Sequence, residues 1–217
     1  MTWLARIHLE YDVLARLCIW DCYDWHKKAW ELFPGRPKGH RRPFLFRVID
    51  ENEGCDLWLM CSEEPTRPDW AESRNWKLSF IRENFPFHRY YRFDLLANSA
   101  RRDKERDTWN GRESKRRRFN LRTPEEHEVW LLRKATEHGF RIVSDSRNGP
   151  SIDFDTRRDY SFVYREKFSG LHVGTRYRGL LEVVDRQKFA AAFKHGIGSA
   201  KSFGFGLLLL KPVITID

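Results

Sequence analysis

The sequence predicts an α+β protein built from two successive units, each a β-sheet with helices on one face. Strand-like and helix-like segments follow the same order in both halves of the 217-residue chain. The composition, with 41% apolar and 15% aromatic residues, is sufficient for a sizeable core. No apolar run approaches the ~20 residues of a membrane-spanning helix. The first residues have strand character, so no signal peptide is expected to open the chain.

The first half predicts a strand, a helix and then a hairpin. The helix, residues 21–33, ends at Pro34-Gly35, which is a strong stop signal. The sequence Glu51-Asn52-Glu53-Gly54 reads as a hairpin turn between two apolar segments. The predicted strands are residues 2–9, 44–49, 55–61 and 77–81, with a short helix between residues 65 and 75.

The second half repeats this order. Its clearest signal is Thr123-Pro124-Glu125-Glu126, where Thr123 is placed to cap a helix, Pro124 suits the first helical position and Glu126 can close a capping box. Asp185 can cap the last helix. The predicted strands are residues 89–96, 140–144, 179–184 and 203–210, and the predicted helices end at His138 and His195.

Each half therefore reads as β-α-β-β-(α)-β, the order of the split βαβ unit. We expect two tandem ferredoxin-like (RRM-like) domains, residues 1–87 and residues 88–217. Sheets of this topology are common RNA-binding platforms, although a fold alone proves no function.

The charge balance favours an anionic partner. The chain has 40 Lys and Arg against 31 Asp and Glu, a net charge of +9. Such an excess is typical of nucleic-acid-binding domains, although a basic membrane-surface protein is possible in principle. The four cysteines, Cys18, Cys22, Cys55 and Cys61, lack zinc-ligand spacing, so we expect buried reduced thiols and no metal site.

The first predicted helix carries a candidate catalytic group. At 3.6 residues per turn, Tyr23, His26, Lys27 and Trp30 share one face, while Trp25, Ala29 and Leu32 form a separate apolar stripe. An imidazole can transfer a proton near neutral pH, a phenol can position a phosphate, and an ammonium can stabilise charge on a phosphorane. An ordinary amphipathic helix would show the same pattern.

The segment 101–118 is a candidate nucleic-acid-binding arm. It holds nine Lys or Arg against four Asp or Glu, and Asn110-Gly111 is a strong hairpin-turn signal. Arginine forks suit RNA phosphates, but a solvated charged loop is the alternative. The candidate RNA-binding residues here are Arg101, Arg102, Lys104, Arg112, Lys115, Arg116, Arg117 and Arg118.

The segment 195–206 contains four glycines and Lys201. Such a loop can offer backbone N–H groups and a positive charge to a phosphate. A tight turn between helix and strand explains it equally well, and the ending required of a nucleotide-binding P-loop is absent.

Four motifs resemble a known family. They are the amino-terminal strand followed by Tyr23-x-x-His26; Leu96-Ala97-Asn98 with its basic continuation; Thr123-Pro124 through Trp130-Leu131 and Gly139-Phe140-Arg141; and Gly196-Ile197-Gly198-x-Ala200-Lys201-x-Phe203-Gly204-x-Gly206-Leu207-Leu208. Together they span nearly the whole chain, and the last is the most specific. They resemble the CRISPR-associated repeat-processing endoribonucleases of type I-E systems, the CasE family of the repeat-associated RNA-binding superfamily.

The resemblance implies two tandem ferredoxin-like domains and cleavage of precursor CRISPR RNA at the 3′ base of the repeat hairpin, without metal or other cofactor. The implied products are a 5′-hydroxyl and a 2′,3′-cyclic phosphate, and the enzyme stays bound as a subunit of the interference complex, Cascade. It implies no membrane partner, contact with target DNA only through that complex, and a cytoplasmic location in a prokaryote.

The resemblance also assigns roles. The family's catalytic histidine falls on His26, its tyrosine on Tyr23 and a following basic residue on Lys27. Some relatives have a second basic residue where this chain has Glu31, and Lys28 can substitute for it. Two alternatives stay open: a non-catalytic RNA-binding subunit that holds the repeat handle, and a structural module of a larger assembly. Whether His26 acts as acid or base is not decided by the sequence.

Overall fold

The structure is a computed structural model that describes residues 1–37, 39–102, 108–109, 112–113, 118–145, 149–150, 152–164 and 168–213. Within these ranges no helix is long and apolar enough to span a bilayer.

The first half of the chain forms a four-stranded sheet. Its elements are β1 (Thr2–Glu10), α1 (Tyr11–Arg16), α2 (Cys22–Trp30), β2 (Phe44–Glu51), β3 (Gly54–Cys61) and β4 (Trp76–Ile81). The strand order is β2-β3-β1-β4, and every neighbouring pair is antiparallel. The predicted strands and the hairpin turn are confirmed to within a few residues.

One face of this sheet is buried under α2. The register places Ile7 opposite Leu57, so alternate residues of the strands point to the same side. Trp25 and Ala29 of α2 pack there together with Leu32, which confirms the predicted apolar stripe, although the helix ends at Trp30 and not at residue 33.

The short helix expected between residues 65 and 75 is wrong as an α-helix. The described chain has only a single 3₁₀ turn there, Ser73–Asn75. Pro65 and Pro68 each lack the N–H that a helix interior needs, and Ala71 packs into the core from an irregular segment. The six-residue helix α1 was not predicted.

The second half repeats the sheet topology. Its main elements are β5 (Tyr90–Ala97), α3 (Pro124–Glu137), β10 (Phe140–Ile142), β14 (Phe168–Val183), α4 (Arg186–His195) and β15 (Leu208–Val213). The order β10-β14-β5-β15 matches that of the first sheet, and α3 and α4 contribute to its core. Both units are ferredoxin-like, as predicted, and the boundary between residues 87 and 88 stays a prediction.

Short ladders extend the second unit. They comprise β6 (Ala100–Arg102) with β9 (Arg118–Asn120), β7 (Thr108–Trp109) with β8 (Arg112–Glu113), β11 (Ser144–Asp145) with β12 (Gly149–Pro150), and β13 (Ile152–Tyr164) with β14. The antiparallel pairing of Thr108 with Glu113 and of Trp109 with Arg112 agrees with the predicted hairpin, whose turn residues lie outside the described part of the chain. The β13–β14 hairpin was not predicted.

Two strand boundaries differ from expectation. The strand predicted from residue 179 begins at Phe168, because its first half pairs with β13 and not with the core sheet. The strand predicted from residue 203 begins at Leu208, because Lys201–Phe203 form a 3₁₀ turn. Ala200 and Gly204, on either side of that turn, have φ of 56° and 87°, which no strand adopts.

The helix starts follow the predicted caps. Thr123 accepts a hydrogen bond from the Glu126 N–H at 3.3 Å, and Asp185 accepts one from the Lys188 N–H at 3.0 Å. The Glu126 carboxylate, however, accepts from Arg122 N–H at 2.8 Å, one residue before the position of a standard capping box.

The two units pack against each other. Leu45 and Met60 of the first sheet form an apolar cluster with Phe193 and Leu207 of the second unit. Gly196 makes this approach possible: its φ is +73°, and a Cβ there would lie 2.7 Å from the Gly206 carbonyl oxygen and 2.9 Å from Leu45 Cδ1. The glycine-rich segment is therefore packed against the first sheet.

A buried ion-pair network also joins the units. Arg47, only 3% exposed, donates to Asp94 at 2.7 Å, and Arg176 donates to the same carboxylate at 2.6 Å. The two guanidinium groups keep the pKa of Asp94 below its usual value, against the opposing effect of burial.

The expectation that the cysteine thiols are buried is correct for only two of the four cysteines. All four cysteines are free, but only Cys55 and Cys61 are buried. Cys18, which lies between α1 and α2 with φ of 52°, is exposed, and Cys22 is half-buried.

Candidate active site

The start of α2 is fixed by two aspartates. Asp21 Oδ1 accepts hydrogen bonds from the N–H groups of Tyr23 at 2.7 Å and Asp24 at 2.9 Å, and Asp24 accepts in return from the N–H of Asp21. This capping box satisfies N–H groups that have no partner within the helix. Asp21 Oδ2 also accepts from Val163 N–H at 2.9 Å, so the same residue ties α2 to the β13–β14 hairpin.

The structure brings Tyr23, His26 and Lys27 together on one face of α2. The rings of Tyr23 and His26 are stacked with centroids 6.3 Å apart. Lys27 Nζ lies 5.2 Å from the centroid of the Tyr23 ring. The helical spacing alone produces this arrangement, as the sequence predicted, although the catalytic roles of the three residues stay predictions.

His26 lies half-buried in an aromatic pocket. Its ring packs against Trp30, Phe44 and Phe46 at centroid distances of 6.3, 6.4 and 6.3 Å. Trp30 Nε1–H donates to His26 Nε2 at 3.2 Å. Since an indole N–H can only donate, Nε2 must be the acceptor, and a neutral ring carries its proton on Nδ1. Nδ1 is buried and has no hydrogen-bond partner among the described residues.

This environment holds His26 in its neutral form. Burial, and to a lesser extent the positive charge of Arg42, lower the pKa of His26 from 6.5 to about 4. At neutral pH the ring is therefore unprotonated, which is the form that a general base requires.

The two lysines of α2 are both paired with carboxylates. Lys27 Nζ lies 2.8 Å from Asp24, which raises the pKa of Lys27. Lys28 Nζ lies 3.0 Å from Glu31 and 5.9 Å from the centroid of the Trp70 ring. Glu31, which stands where some relatives have a second basic residue, also accepts a hydrogen bond from Trp70 Nε1–H at 2.6 Å. None of the Lys28 contacts in the described structure involves Tyr23 or His26.

Lys201 closes the carboxyl end of α4. Its ammonium donates to the carbonyl oxygens of His195 at 2.7 Å and Gly196 at 2.8 Å. Burial lowers the pKa of Lys201, and the charges of Arg42 and Lys134 lower it further. The glycine-rich segment is thus a tight connection between helix and strand, whose N–H groups at Ile197 and Gly206 bond to the chain itself. RNA binding by Lys201 stays a prediction.

The predicted basic arm is described in part. Arg101 lies 3.6 Å from Glu126 and packs over the Phe119 ring at 5.8 Å. The backbones of Arg102, Arg112 and Arg118 lie in β6, β8 and β9. Lys104, Lys115, Arg116 and Arg117 lie outside the described residues.

Two basic features escaped the sequence analysis. Arg42 precedes β2 and packs against Phe44 of the His26 pocket; the signal was the basic pair Arg41-Arg42, which Pro43 separates from the predicted strand. The β13–β14 hairpin carries Arg158, Arg176 and Arg178, and its signal was the alternation of apolar and polar residues in 152–164.

Comparisons with known proteins cover nearly the whole chain. The family model described as "CRISPR associated protein" matches residues 2–212. The "CRISPR-associated endoribonuclease Cse3" of Thermus thermophilus is 27% identical, over 97% of this chain and 100% of that protein. The "CRISPR system Cascade subunit CasE" of Escherichia coli K12 is 28% identical, over 95% of this chain and 100% of that protein.

A solved structure shares the fold over the same length. It is that of Thermus thermophilus Cse3 bound to an RNA representing a pre-cleavage complex, with a TM-score of 0.74 and 25% identity over 97% of this chain and 99% of that chain.

Proposed function

Because the chain belongs to the family of CRISPR associated proteins, we propose that it is an endoribonuclease that binds the repeat hairpin of precursor CRISPR RNA and cleaves it at the 3′ base of the stem. The observation that carries this proposal is the cluster of Tyr23, His26 and Lys27 on α2, in a chain whose full-length relative is named an endoribonuclease. The net charge of +9 suits an RNA ligand.

The RNA supplies the nucleophile. The 2′-oxygen next to the scissile phosphate attacks phosphorus in line and loses its proton, while the bond from phosphorus to the 5′-oxygen breaks and that oxygen gains a proton. The products are a 2′,3′-cyclic phosphate and a 5′-hydroxyl. No metal ion takes part.

We assign His26 as the general base of this reaction. Its ring is neutral at pH 7, and its Nε2 lone pair is directed at a weak donor, the indole of Trp30, that the 2′-hydroxyl can replace. Tyr23 positions the phosphate, and Lys27, held by Asp24, offsets the charge that develops on it.

After cleavage the protein stays on the hairpin as a subunit of Cascade, in the cytoplasm of a prokaryotic cell. It meets target DNA only through that complex. The relative named as a Cascade subunit supports this assembly. Membership of such a complex is equally compatible with a non-catalytic subunit that holds the repeat handle. The decisive experiment must therefore separate RNA binding from RNA cleavage.

The experiment uses the repeat hairpin encoded beside the gene, with EDTA present throughout. The wild-type protein should cut this RNA and fail to cut the same RNA with hydrogen in place of the 2′-hydroxyl at the scissile position. His26→Ala should bind the hairpin within a few-fold of wild-type affinity and leave it intact, because it loses proton transfer but not the basic surface. The matched control is His88→Ala, which removes an exposed histidine outside α2 and should cut the RNA normally.

Binding without cleavage by the wild-type protein would establish the non-catalytic alternative. Dependence of cleavage on added Mg²⁺ would contradict the metal-independent mechanism. Cleavage by His26→Ala at the wild-type rate would show that the active site lies elsewhere.

A further inference from the structure

Arg42 is held beside the catalytic imidazole. Its Nε donates to the Phe44 carbonyl oxygen at 2.8 Å, and its guanidinium lies 5.7 Å from the centroid of the Phe44 ring. The His26 ring packs against the same phenylalanine. Phe44 begins β2, so a rigid strand fixes the position of the guanidinium relative to His26.

No carboxylate neutralises this charge in the described part of the chain. Arg42 forms no salt bridge there, and its Nη1 is buried without a hydrogen-bond partner. Lys27 and Lys28, by contrast, each have a carboxylate within 3.0 Å. A buried polar group without a partner is costly, and more so when it is charged. The nearby Glu63 is already paired with Arg36.

The neighbours of Arg42 add charge of the same sign. An open cavity of about 770 Å³ is bordered by Arg41, Arg42, Lys194 and Lys201, and by Glu63, which is paired with Arg36. The charge of Arg42 lowers the pKa values of both His26 and Lys201, so Arg42 lies close enough to repel each of them when it is protonated. An anion placed among them would relieve this repulsion, and the anions that an RNA ligand offers are its phosphates.

We infer that Arg42 is a further catalytic residue of the cleavage reaction, whose guanidinium donates to a non-bridging oxygen of the scissile phosphate. The inference rests on the proposed function. During the reaction the negative charge on those oxygens grows as the 2′-oxygen adds to phosphorus, and a fixed guanidinium stabilises that charge more than it stabilises the ground state. Arg42 gives up no proton and forms no covalent bond.

Binding of the phosphate has a second consequence. A negative charge beside Arg42 cancels the field that this arginine exerts on His26, so the imidazole holds a proton more readily when RNA is bound. Burial and, to a lesser extent, Arg42 keep His26 deprotonated in the free protein, and the part due to Arg42 is reduced in the complex.

The test compares Arg42→Ala and Arg42→Lys with Arg41→Ala, which removes the same charge from the exposed neighbouring position. Cleavage of the repeat hairpin is measured in single turnovers with saturating protein, and affinity is measured with the hairpin that carries hydrogen in place of the 2′-hydroxyl. We expect Arg42→Ala to cut roughly 10²–10³-fold more slowly, the usual cost of losing one donor to a developing anion, with affinity within a few-fold of wild type. Arg41→Ala should cut within a few-fold of the wild-type rate.

Addition of free guanidinium at concentrations that do not unfold the protein should restore part of the Arg42→Ala rate, and not that of His26→Ala. A merely structural role would not produce this rescue. If thermal unfolding shows that Arg42→Ala does not fold, the inference is tested with Arg42→Lys. This variant keeps the positive charge but loses the planar guanidinium with its paired donors, so it should cut the RNA slowly and bind it with unchanged affinity.

Wild-type cleavage together with wild-type rates in both Arg42 variants would overturn the inference and leave the proposed function standing. A variant that loses only affinity, or a slow variant that guanidinium does not rescue, would also overturn it. Absence of cleavage by the wild-type protein would refute the proposed function itself.

Discussion

Acidification should destabilise the folded protein through His26. The pKa of this histidine is about 4 in the folded protein, against 6.5 as its ordinary value, because the ring is buried and faces the charge of Arg42. Between these two values the unfolded chain binds a proton that the folded chain excludes. The resulting stabilisation is complete above pH 6.5 and is lost as the pH falls toward 4.

The magnitude follows from the two pKa values. A tenfold difference in proton affinity between the folded and unfolded chains corresponds to about 1.4 kcal/mol, so a pKa of 6.5 falling to about 4 implies a loss of about 2.5 kcal/mol between pH 7.5 and pH 4.5. The ring is only half-buried, so solvent screening reduces the expected effect to about 2 kcal/mol.

The assay is equilibrium unfolding in urea at both pH values for the wild type and His26→Ala. The other titrating groups, His127 and His138 among them, affect both proteins alike. The loss of stability on acidification should therefore be about 2 kcal/mol larger for the wild type. The NMR titration of the His26 ring protons should show a midpoint near pH 4, as the pKa of about 4 requires.

Equal pH dependence in the two proteins, or a titration midpoint at or above about pH 6, would refute the reasoning. Either result would mean that the imidazole is solvated or that Arg42 does not act on it. The claim that burial and Arg42 depress the pKa of His26 would then fail.

Two further predictions concern the helix cap and the basic arm. Asp21→Ala should lower the free energy of unfolding by about 1–2 kcal/mol, because it removes the cap of α2 and the contact to Val163 N–H; urea unfolding measures this, and Asp21→Asn, which keeps one acceptor, should lose less. Combined replacement of Arg116, Arg117 and Arg118 by Ala should weaken hairpin binding and flatten the slope of log K against log salt by up to about three increments of roughly 0.7–0.9 each. An unrelated stem should be affected nearly as much if only phosphates are contacted, whereas unchanged affinity and slope would show that the arm is a solvated loop.

The parts of the fold that sequence reasoning predicted are those with strong local signals. The strands β2 and β3 are apolar segments on either side of a turn ending in Gly54, and α3 begins at Thr123-Pro124 as its capping residues require. The cluster on α2 was predictable because helical spacing by itself places Tyr23, His26 and Lys27 side by side.

The parts that were missed depend on distant contacts. The β13–β14 hairpin forms by pairing of two long strands, and the polar run 155–159 interrupts the apolar–polar alternation of β13, so the hydrophobic pattern is weak there. The environment of Arg42 likewise cannot be predicted from the neighbouring sequence, where Arg42 is only the second residue of a basic pair. The fold alone brings His26 and Lys201 near its guanidinium.

The distribution of charge around His26 links affinity to chemistry. A protein with a net charge of +9 could bind RNA through exposed lysines and arginines alone, and such contacts would not need to approach the imidazole. Here one cation, Arg42, lies close enough to lower the pKa of His26, and it has no carboxylate partner among the described residues. In the free protein, burial and this charge together keep His26 deprotonated, and the positive charge of Arg42 is left without a counter-ion in the described part of the chain. A phosphate that enters the site relieves the repulsion and raises the basicity of the imidazole in the same event, so that the base is strengthened only when there is RNA to cut.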